Sequence, residues 1–394
     1  MPFHRIPKKI GESPGGARLA LLIVLALGPR AIAQAPPGPE LRGAFQQIDA
    51  LAAAELAKDN LAGLTLGVVS GAHLTWTKSY GFADIEKKAP ATRETVYRIG
   101  SITKEFTALM LLQLVEQGKA QFSDPVEKYY PEVNKLAGPF PGAPPITLLQ
   151  LATMTSGIAR EPEDLDTYQK GPVSHWEKVT QAALLRTKFA FEPGTRYHYS
   201  NIGYAILGAA LARAAGRPYI DYVQQQIFSP LGMTRTAFEP NTQIRPRLAR
   251  GYQIRGGKPG HAQSEREHQG RGFRIPNGGM YSTVDDLARF VAFQLGEGPT
   301  SVLKKETLKE SFSRVYSANG DLRSGYGIGF QVHRRGDLTA VGHLGSVAGY
   351  QAAAYLDRFS GSGVIVLRNA GGGAFQASSL ALRALEKLAA ARRG

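Results

Sequence analysis

Three runs near the C-terminal end of this 394-residue chain most constrain how it can fold. They read LTAVGHLGSV (residues 338–347), YQAAAYLDR (350–358) and GVIVLRNA (363–370). Each is rich in residues that suit a strand, and short Gly- and Ser-containing turns separate them. This spacing predicts an antiparallel meander.

The N-terminal part of the chain carries elements that could complete the same sheet. Residues 41–56 have apolar side chains at helical spacing, which predicts an amphipathic helix. The stretch LTLGVVSGAHLTWTKSYG (64–81) then predicts two strands joined at Ser70 and Gly71. A helix is predicted again at residues 375–393, after the meander.

The middle of the chain has a different character, with helical stretches broken by Pro and Gly and few strand-like runs. We therefore predict an α/β fold: an antiparallel sheet flanked by helices, built from residues 41–119 and 276–394. A mostly helical region, residues 120–275, is inserted between the two parts. Within it, residues 255–273 contain almost no apolar side chains and are predicted to form an exposed loop.

The first 33 residues have the pattern of an export signal. Basic residues precede a short apolar run from Leu19 to Leu27, and AIAQ (31–34) offers an A-x-A cleavage pattern. The run is shorter than the roughly 20 apolar residues of a membrane-spanning helix. We predict a bacterial signal peptide at 1–33, a linker at 34–40, and an exported chain, periplasmic or secreted, without a stable membrane span after cleavage.

Composition narrows the chemistry further. The chain has no cysteine, which excludes a cysteine nucleophile, thiolate metal ligands and disulfides. Without residues 1–33 it has 42 basic and 31 acidic residues, a formal charge of +11. These charges are scattered, and the histidines show no metal-ligand spacing. We expect no metal, no organic cofactor and no nucleic-acid partner.

The pattern S-x-x-K occurs twice, as Ser101–Lys104 and as Ser301–Lys304. Ser101 begins a strongly apolar helical stretch that ends at Gly118, whereas Ser301 lies in a polar connection. Side chains three apart on a helix lie about 5–6 Å apart at Cβ, so Lys104 can reach the Ser101 hydroxyl. A serine becomes a nucleophile only with a base, and a buried lysine of lowered pKa can serve.

Two further segments could contribute to the same site. In FEPGTRYHYSNIGY (191–204), Tyr199 could act as base or relay, and the Asn201 amide could hydrogen-bond a substrate. In VGHLGSVAGY (341–350), Gly345 would allow close backbone approach, and the Ser346 N–H could join that of Ser101 as an oxyanion pair. His198 and His343 are alternative bases, which we rank below Lys104 and Tyr199.

Taken in order, these segments resemble the serine β-lactamase and penicillin-binding protein superfamily, most closely its class C-like branch. That branch includes DD-peptidases, D-aminopeptidases and class VIII-type esterases. The resemblance covers about residues 60 to 370 and includes TVYRIGSITKEFTALMLLQLVEQGK, FEPGTRYHYSNIGYAILG, NGGMYSTVDDLARF, YGIGFQV and GHLGSVAGYQAAAYLDR. It implies an α/β sandwich beside a helical region, with the active site in the cleft between them.

The resemblance also implies roles for individual residues. Ser101 would be the nucleophile and Lys104 its partner, with Tyr199 as base or proton relay and Asn201 as a substrate anchor. The segment from His343 to Ser346 would form the far wall of the cleft. The implied reaction is acyl transfer through a covalent acyl-enzyme on Ser101, without metal or cofactor.

One departure bears on the substrate. β-Lactamases of this group usually carry K-T-G on the wall strand, where a cation and a hydroxyl meet the drug's carboxylate, but this chain has His343, Leu344 and Gly345. We therefore expect an ester or D-amino-acid peptide substrate, with cell-wall fragments among the candidates and with the Leu344 side chain fitting an apolar group. The alternatives are a true class C-like β-lactamase and a non-catalytic envelope protein that binds ligands in the same cleft.

Overall fold

An eight-stranded antiparallel sheet forms the centre of the computed structural model, which describes residues 39–59, 62–313, 316–317 and 323–393. In chain order its strands are β1 (Leu64–Ser70), β2 (His73–Tyr80), β3 (Tyr316–Ser317), β4 (Ser324–Tyr326), β5 (Gln331–Arg335), β6 (Leu338–Val347), β7 (Tyr350–Asp357) and β8 (Ser362–Arg368). Their order across the sheet is β2-β1-β8-β7-β6-β5-β4-β3.

The N-terminal hairpin and the C-terminal meander join in this sheet through one strand pair. β1 runs antiparallel to β8, from Leu64 opposite Arg368 to Ser70 opposite Ser362. Both β1 and β8 are buried along almost their whole length, as expected for central strands covered on both faces. The predicted sharing of one sheet by the two ends of the fold is confirmed.

Two helices cover one face of the sheet. The helices Pro39–Leu56 and Ala377–Ala391 pack against each other, and Ala377–Ala391 also packs against β6, β7 and β8. Their apolar side chains form one core with alternate residues of the strands, among them Leu66, Tyr355 and Val366. We call this the outer face of the sheet.

The larger core lies on the other, inner face. It is built on the helices Thr103–Glu116, Asn201–Ala215 and Val284–Ala292, whose buried side chains share this core with alternate residues of β7, from Tyr350 to Leu356. Further short helices of this region are Leu148–Ala152, Leu165–Tyr168, Trp176–Leu184, Tyr219–Val223, Ser229–Leu231, Ala262–Glu267, Ile275–Gly278 and Lys305–Ser311. Small strand pairs at its edges are Phe82–Asp84 with Ala89–Pro90, Tyr97–Arg98 with Tyr281–Ser282, and Tyr252–Arg255 with Lys258–Gly260 and Ala370–Gly371.

The predicted α/β fold with an antiparallel sheet flanked by helices is confirmed, but one segment was predicted wrongly. Residues 255–273 are not simply an exposed loop, since they contain a short strand and the helix Ala262–Glu267. Glu267 forms ion pairs with the buried Arg98 and Arg271, both at 2.9 Å. Polar side chains therefore anchor this segment, and hydropathy alone does not reveal such pairing.

The predicted signal peptide at 1–33 and most of the predicted linker lie outside the described residues, so export stays a prediction from the sequence. The boundaries of the helical region at 120 and 275 also stay predictions, because the described residues form a single compact unit. Among those residues, no helix combines the length and apolar character needed to cross a bilayer.

Candidate active site

Ser101 lies in the turn that opens the helix Thr103–Glu116, which we call the nucleophile helix. A single 3₁₀ turn, Gly100–Ile102, leads directly into it, and Gly100 adopts a left-handed φ of +52°. Ser101 is partly exposed, whereas Lys104 one turn later is fully buried. The hydroxyl is thus accessible from the cleft while its neighbour is shielded from water.

The Lys104 amino group points back at Ser101 and is held on three sides. Its Nζ lies 3.1 Å from Ser101 Oγ, 2.8 Å from Asn201 Oδ1 and 2.8 Å from the Asn277 carbonyl oxygen. In the neutral amine the two N–H groups can donate to Asn201 and Asn277, which leaves the lone pair directed at the Ser101 hydroxyl. The side chain therefore has one defined position beside the Ser101 hydroxyl.

The surroundings of Lys104 favour its neutral form. Burial lowers the pKa of Lys104 well below the ordinary lysine value, because a desolvated ammonium is costly. Arg274, Arg160 and Arg271 lower this pKa further, while Glu161 raises it. Lys104 is therefore suited to accept a proton from Ser101.

Tyr199 lies next to the same lysine, but its pKa is shifted in the opposite direction. Lys104 Nζ lies 4.8 Å from the centroid of the Tyr199 ring. Burial raises the pKa of Tyr199, and a hydrogen bond with Ser101 only partly offsets this effect. A phenol that resists ionisation can pass a proton between neighbours but is a poor general base near neutral pH.

Asn201 is the first residue of the helix Asn201–Ala215, where Ser200 caps the helix by accepting a hydrogen bond from Gly203 N at 2.9 Å. The Asn201 amide accepts from Lys104 and donates through Nδ2 to Glu161 Oε1 at 2.6 Å. Glu161 Oε1 also accepts from Arg274 at 3.0 Å. Glu161 thus fixes which way the amide faces, and the Asn201 oxygen is directed at Lys104.

The wall strand β6 approaches the start of the nucleophile helix closely. A Cβ added at Gly345 would lie 2.0 Å from the Ile99 carbonyl oxygen and 3.3 Å from Ser101 N. A Cβ at Gly100 would lie 2.9 Å from Ser346 N. Only glycine permits this contact, which brings the backbone of Ser346 next to that of Ser101, the arrangement that a pair of oxyanion donors needs.

His343 is on the inner face of β6 but does not present a charge to the cleft. It is buried, with Nε2 at 3.1 Å from the Tyr326 hydroxyl and Nδ1 at 2.5 Å from the Leu344 carbonyl oxygen. The carbonyl requires a proton on Nδ1, so Nε2 accepts from Tyr326. Burial, with the nearby Lys104 adding to it, lowers the pKa of His343 to about 3, so this side chain is neutral and structural.

The expectation for the Leu344 side chain is corrected by the strand geometry. Leu344 pairs with Ala353, which belongs to the outer core, whereas His343 pairs with Ala354 of the inner core. Since paired residues share a face and faces alternate along a strand, the Leu344 side chain points away from Ser101. It lies on the wrong face to fit an acyl group bound at Ser101.

The two S-x-x-K segments lie in different environments. Ser301 is exposed in a turn, and Lys304 is an exposed residue that only precedes the helix Lys305–Ser311. The backbone N–H of Lys304 donates to Glu116 at 3.1 Å, which makes this pair part of the surface packing. The choice of Ser101 from its sequence context agrees with this geometry.

Four residues near the site were not picked out from the sequence: Glu161, Arg274, Asn277 and Tyr326. Asn277 contributes its carbonyl oxygen to Lys104 and donates from Nδ2 to the Asn201 carbonyl at 3.1 Å. Asn277 and Tyr326 belong to NGG and YGIGF, two segments that carry the family resemblance but to whose residues it assigned no role. Within the described residues, no group of three or more His, Cys, Asp or Glu side chains is placed to hold a metal ion.

Comparison with known proteins agrees with this fold. A family model described as Beta-lactamase matches residues 48–389. The chain therefore belongs to the β-lactamase family, within the serine β-lactamase and penicillin-binding protein superfamily, and the predicted resemblance is confirmed.

The chain is similar to several curated proteins. The chain is 29% identical over 327 residues to "Beta-lactamase-like protein 2" of Dictyostelium discoideum, covering 81% of this chain and 58% of that protein. It is 28% identical over 331 residues to "Protein flp" of Staphylococcus aureus (strain MRSA252), covering 82% and 62%. The chain thus spans less than two thirds of the length of these curated relatives.

Two solved structures share the fold. The octameric penicillin-binding protein homologue from Pyrococcus abyssi superimposes with a TM-score of 0.75 at 28% identity, covering 88% of this chain and 77% of that chain. The D-amino acid amidase from Ochrobactrum anthropi SV3 superimposes with a TM-score of 0.73 at 24% identity, covering 89% and 99%. The second likeness concerns the fold alone.

The charges around Lys104 predict that two variants shift the pH dependence of the rate in opposite directions. Glu161→Gln removes an anion that raises the pKa of Lys104, so the rise of kcat/KM with pH should move to lower pH. Arg274→Gln removes a cation that lowers this pKa, so the same rise should move to higher pH. Glutamine at 161 can still accept from Asn201, so the plateau rate should stay within about tenfold of the wild type.

These shifts are measured from pH profiles of kcat/KM for one ester in the two variants and the wild type. Thermal unfolding midpoints for all three proteins control for loss of folding. Shifts in the same direction, or no shift in either variant, would contradict the assignment of the ascending limb to Lys104.

Proposed function

We propose that this protein is a serine hydrolase that cleaves an ester or amide bond through an acyl-enzyme on Ser101, with Lys104 as general base. The observation that carries this proposal is the contact of 3.1 Å between Lys104 Nζ and Ser101 Oγ at the accessible start of a buried helix. The membership of the β-lactamase family supports it.

Acylation would begin with transfer of the Ser101 hydroxyl proton to the neutral amine of Lys104. Oγ attacks the substrate carbonyl carbon, and the oxygen of the tetrahedral intermediate accepts hydrogen bonds from the N–H groups of Ser101 and Ser346. The proton on Lys104 then passes to the departing alcohol or amine, with Tyr199 as a possible relay. The bond to the leaving group breaks, and the acyl group stays on Ser101.

Deacylation follows the same path with water in place of the serine hydroxyl. Water gives a proton to the base and attacks the acyl carbon, and the intermediate again forms between the two N–H groups. As it collapses, the Ser101 oxygen leaves and takes the proton back. The products are a free carboxylic acid and the unchanged enzyme.

The neutral His343 points to an ester or D-amino-acid amide substrate rather than a β-lactam. The resemblance implies that a β-lactam carboxylate meets a cation on the wall strand, but His343 is buried and its pKa is lowered to about 3. The Leu344 side chain, on the other face, supplies no hydroxyl in its place. Without these groups the rigid bicyclic drug lacks its anchor.

This preference is tested on one purified sample with p-nitrophenyl esters, D-amino-acid amides and nitrocefin. We expect kcat/KM for an ester to exceed that for nitrocefin by at least about tenfold, the loss that one missing charged contact causes. Labelling of Ser101 by a fluorophosphonate should accompany ester hydrolysis. Fast nitrocefin turnover would instead indicate a true β-lactamase, and neither labelling nor turnover would indicate a non-catalytic binding protein.

A further inference from the structure

The cations near Ser101 are concentrated on the helical wall of the cleft, opposite β6. Three arginines there act on the pKa of Lys104: Arg274, Arg160 and Arg271. Two of them are committed to partners, since Arg274 contacts Glu161 at 3.0 Å and Arg271 contacts Glu267 at 2.9 Å. Their side chains are only 13% and 8% exposed.

Arg160 differs from the other two in both exposure and pairing. Its side chain is 59% exposed, and its distance to Glu161 is 3.9 Å, which is too long for a hydrogen bond. Glu161 is already engaged by Asn201 at 2.6 Å and by Arg274. Arg160 therefore keeps donor groups available to the solvent in the cleft.

The position of Arg160 beside the catalytic groups is well defined. Its Cζ lies 4.8 Å from the centroid of the Tyr199 ring, a distance typical of a guanidinium stacked on an aromatic face. Its carbonyl oxygen accepts from Asn201 N at 2.9 Å, which fixes its backbone at the start of the Asn201 helix. A planar cation held in this way is preorganised to bind a carboxylate with two hydrogen bonds.

We propose that Arg160 binds an anionic group of the substrate, so that the preferred substrates carry a carboxylate away from the bond that is cleaved. This proposal rests on the proposed hydrolase function and names its substrate class. The anion site lies on the helical wall rather than on β6, where His343 offers no charge. A flexible acyl chain can bring its carboxylate to Arg160, whereas the carboxylate of a bicyclic β-lactam is fixed relative to its reactive carbonyl.

The test uses ester pairs that differ only in one charge. The first pair is the p-nitrophenyl monoester of adipic acid and its counterpart whose far carboxylate is a methyl ester. The second pair places the charge on the leaving group: the acetate esters of 4-hydroxybenzoic acid and of its methyl ester. Each pair gives a charged-to-neutral ratio of kcat/KM, measured in the wild type and in Arg160→Gln.

We expect Arg160→Gln to lower this ratio about 10- to 100-fold for at least one pair, as for loss of a charge-assisted hydrogen bond. The pair that responds shows whether the anion lies on the acyl or on the leaving side. The matched control is Arg196→Gln, because Arg196 stacks on Phe191 at 4.4 Å instead of on Tyr199, and its ratio should equal that of the wild type. An unchanged ratio for both pairs in Arg160→Gln would overturn the proposal.

A binding measurement separates this proposal from the proposed function. Monomethyl adipate, charged on the acyl side, and 4-acetoxybenzoate, charged on the leaving side, are each titrated into Ser101→Ala and into Ser101→Ala/Arg160→Gln by calorimetry, which requires no turnover. Weaker binding of at least about tenfold in the double variant supports the anion site even if no ester is hydrolysed. Equal affinities of the two proteins for both probes would overturn it even if ester hydrolysis is fast.

Discussion

Ser101→Ala should lower kcat/KM for ester hydrolysis by at least about 10⁴-fold, whereas Ser301→Ala should leave it within about twofold of the wild type. The first variant removes the hydroxyl oxygen that Lys104 Nζ contacts at 3.1 Å at the accessible helix start. The second alters an exposed turn whose lysine is also on the surface. The two variants thus make the same chemical change in the same sequence pattern.

The measurement is ester hydrolysis by the two variants and the wild type, with fluorophosphonate labelling located by mass spectrometry. The label should be found on Ser101 and be absent from Ser101→Ala. Both substitutions remove one hydroxyl and should leave the unfolding midpoint almost unchanged. A similar loss of activity in the two variants would mean that Ser101 is not the nucleophile.

The second large expected effect tests which residue is the general base, Lys104 or Tyr199. Lys104→Arg replaces an amine of lowered pKa with a guanidinium that stays protonated and cannot act as a base, so we expect a loss of about 10²- to 10⁴-fold in kcat. Tyr199→Phe should cost less, because Lys104 stays beside Ser101. The wild-type rate should rise with pH as Lys104 loses its proton, well below the ordinary lysine pKa.

The pH profiles decide between the two residues. Burial raises the pKa of Tyr199, so a rate controlled by its phenolate would rise only in strongly alkaline solution. We expect Tyr199→Phe to keep the ascending limb of the wild type and Lys104→Arg to lose it. Loss of the limb in Tyr199→Phe alone would transfer the role of base to the tyrosine.

The sequence was sufficient for the parts of the fold that depend on local apolar patterns. The strands β6, β7 and β8 and the nucleophile helix follow from such runs, and the helix stops before Gly118, whose φ is +70°. The strand β5, with the sequence QVHRR, was missed because its polar and partly exposed side chains are as compatible with a loop as with a strand. Its strand character depends on pairing with β6.

The sequence was sufficient to predict site residues whose roles follow from their spacing along one helix, as for Ser101 and Lys104. Tyr199 and Asn201 required the family resemblance, which the structure supports by placing both beside Lys104. Glu161 and Arg274 lie 113 residues apart, and their contact gives no signal in either segment. The wrong expectation for the Leu344 side chain has a similar origin. The packing of the whole sheet decides which face of a strand lines the cleft.

The contact between Gly100 and Gly345 has a consequence for the synthesis of this protein. It joins a turn that the ribosome makes early to a strand made almost 250 residues later. Ser101 and Lys104 can adopt their helical spacing on the nascent chain, but the second backbone donor for the oxyanion does not yet exist. The nascent chain therefore carries Ser101 without the complete site, and the hydrolysis that we propose requires that β6 has docked.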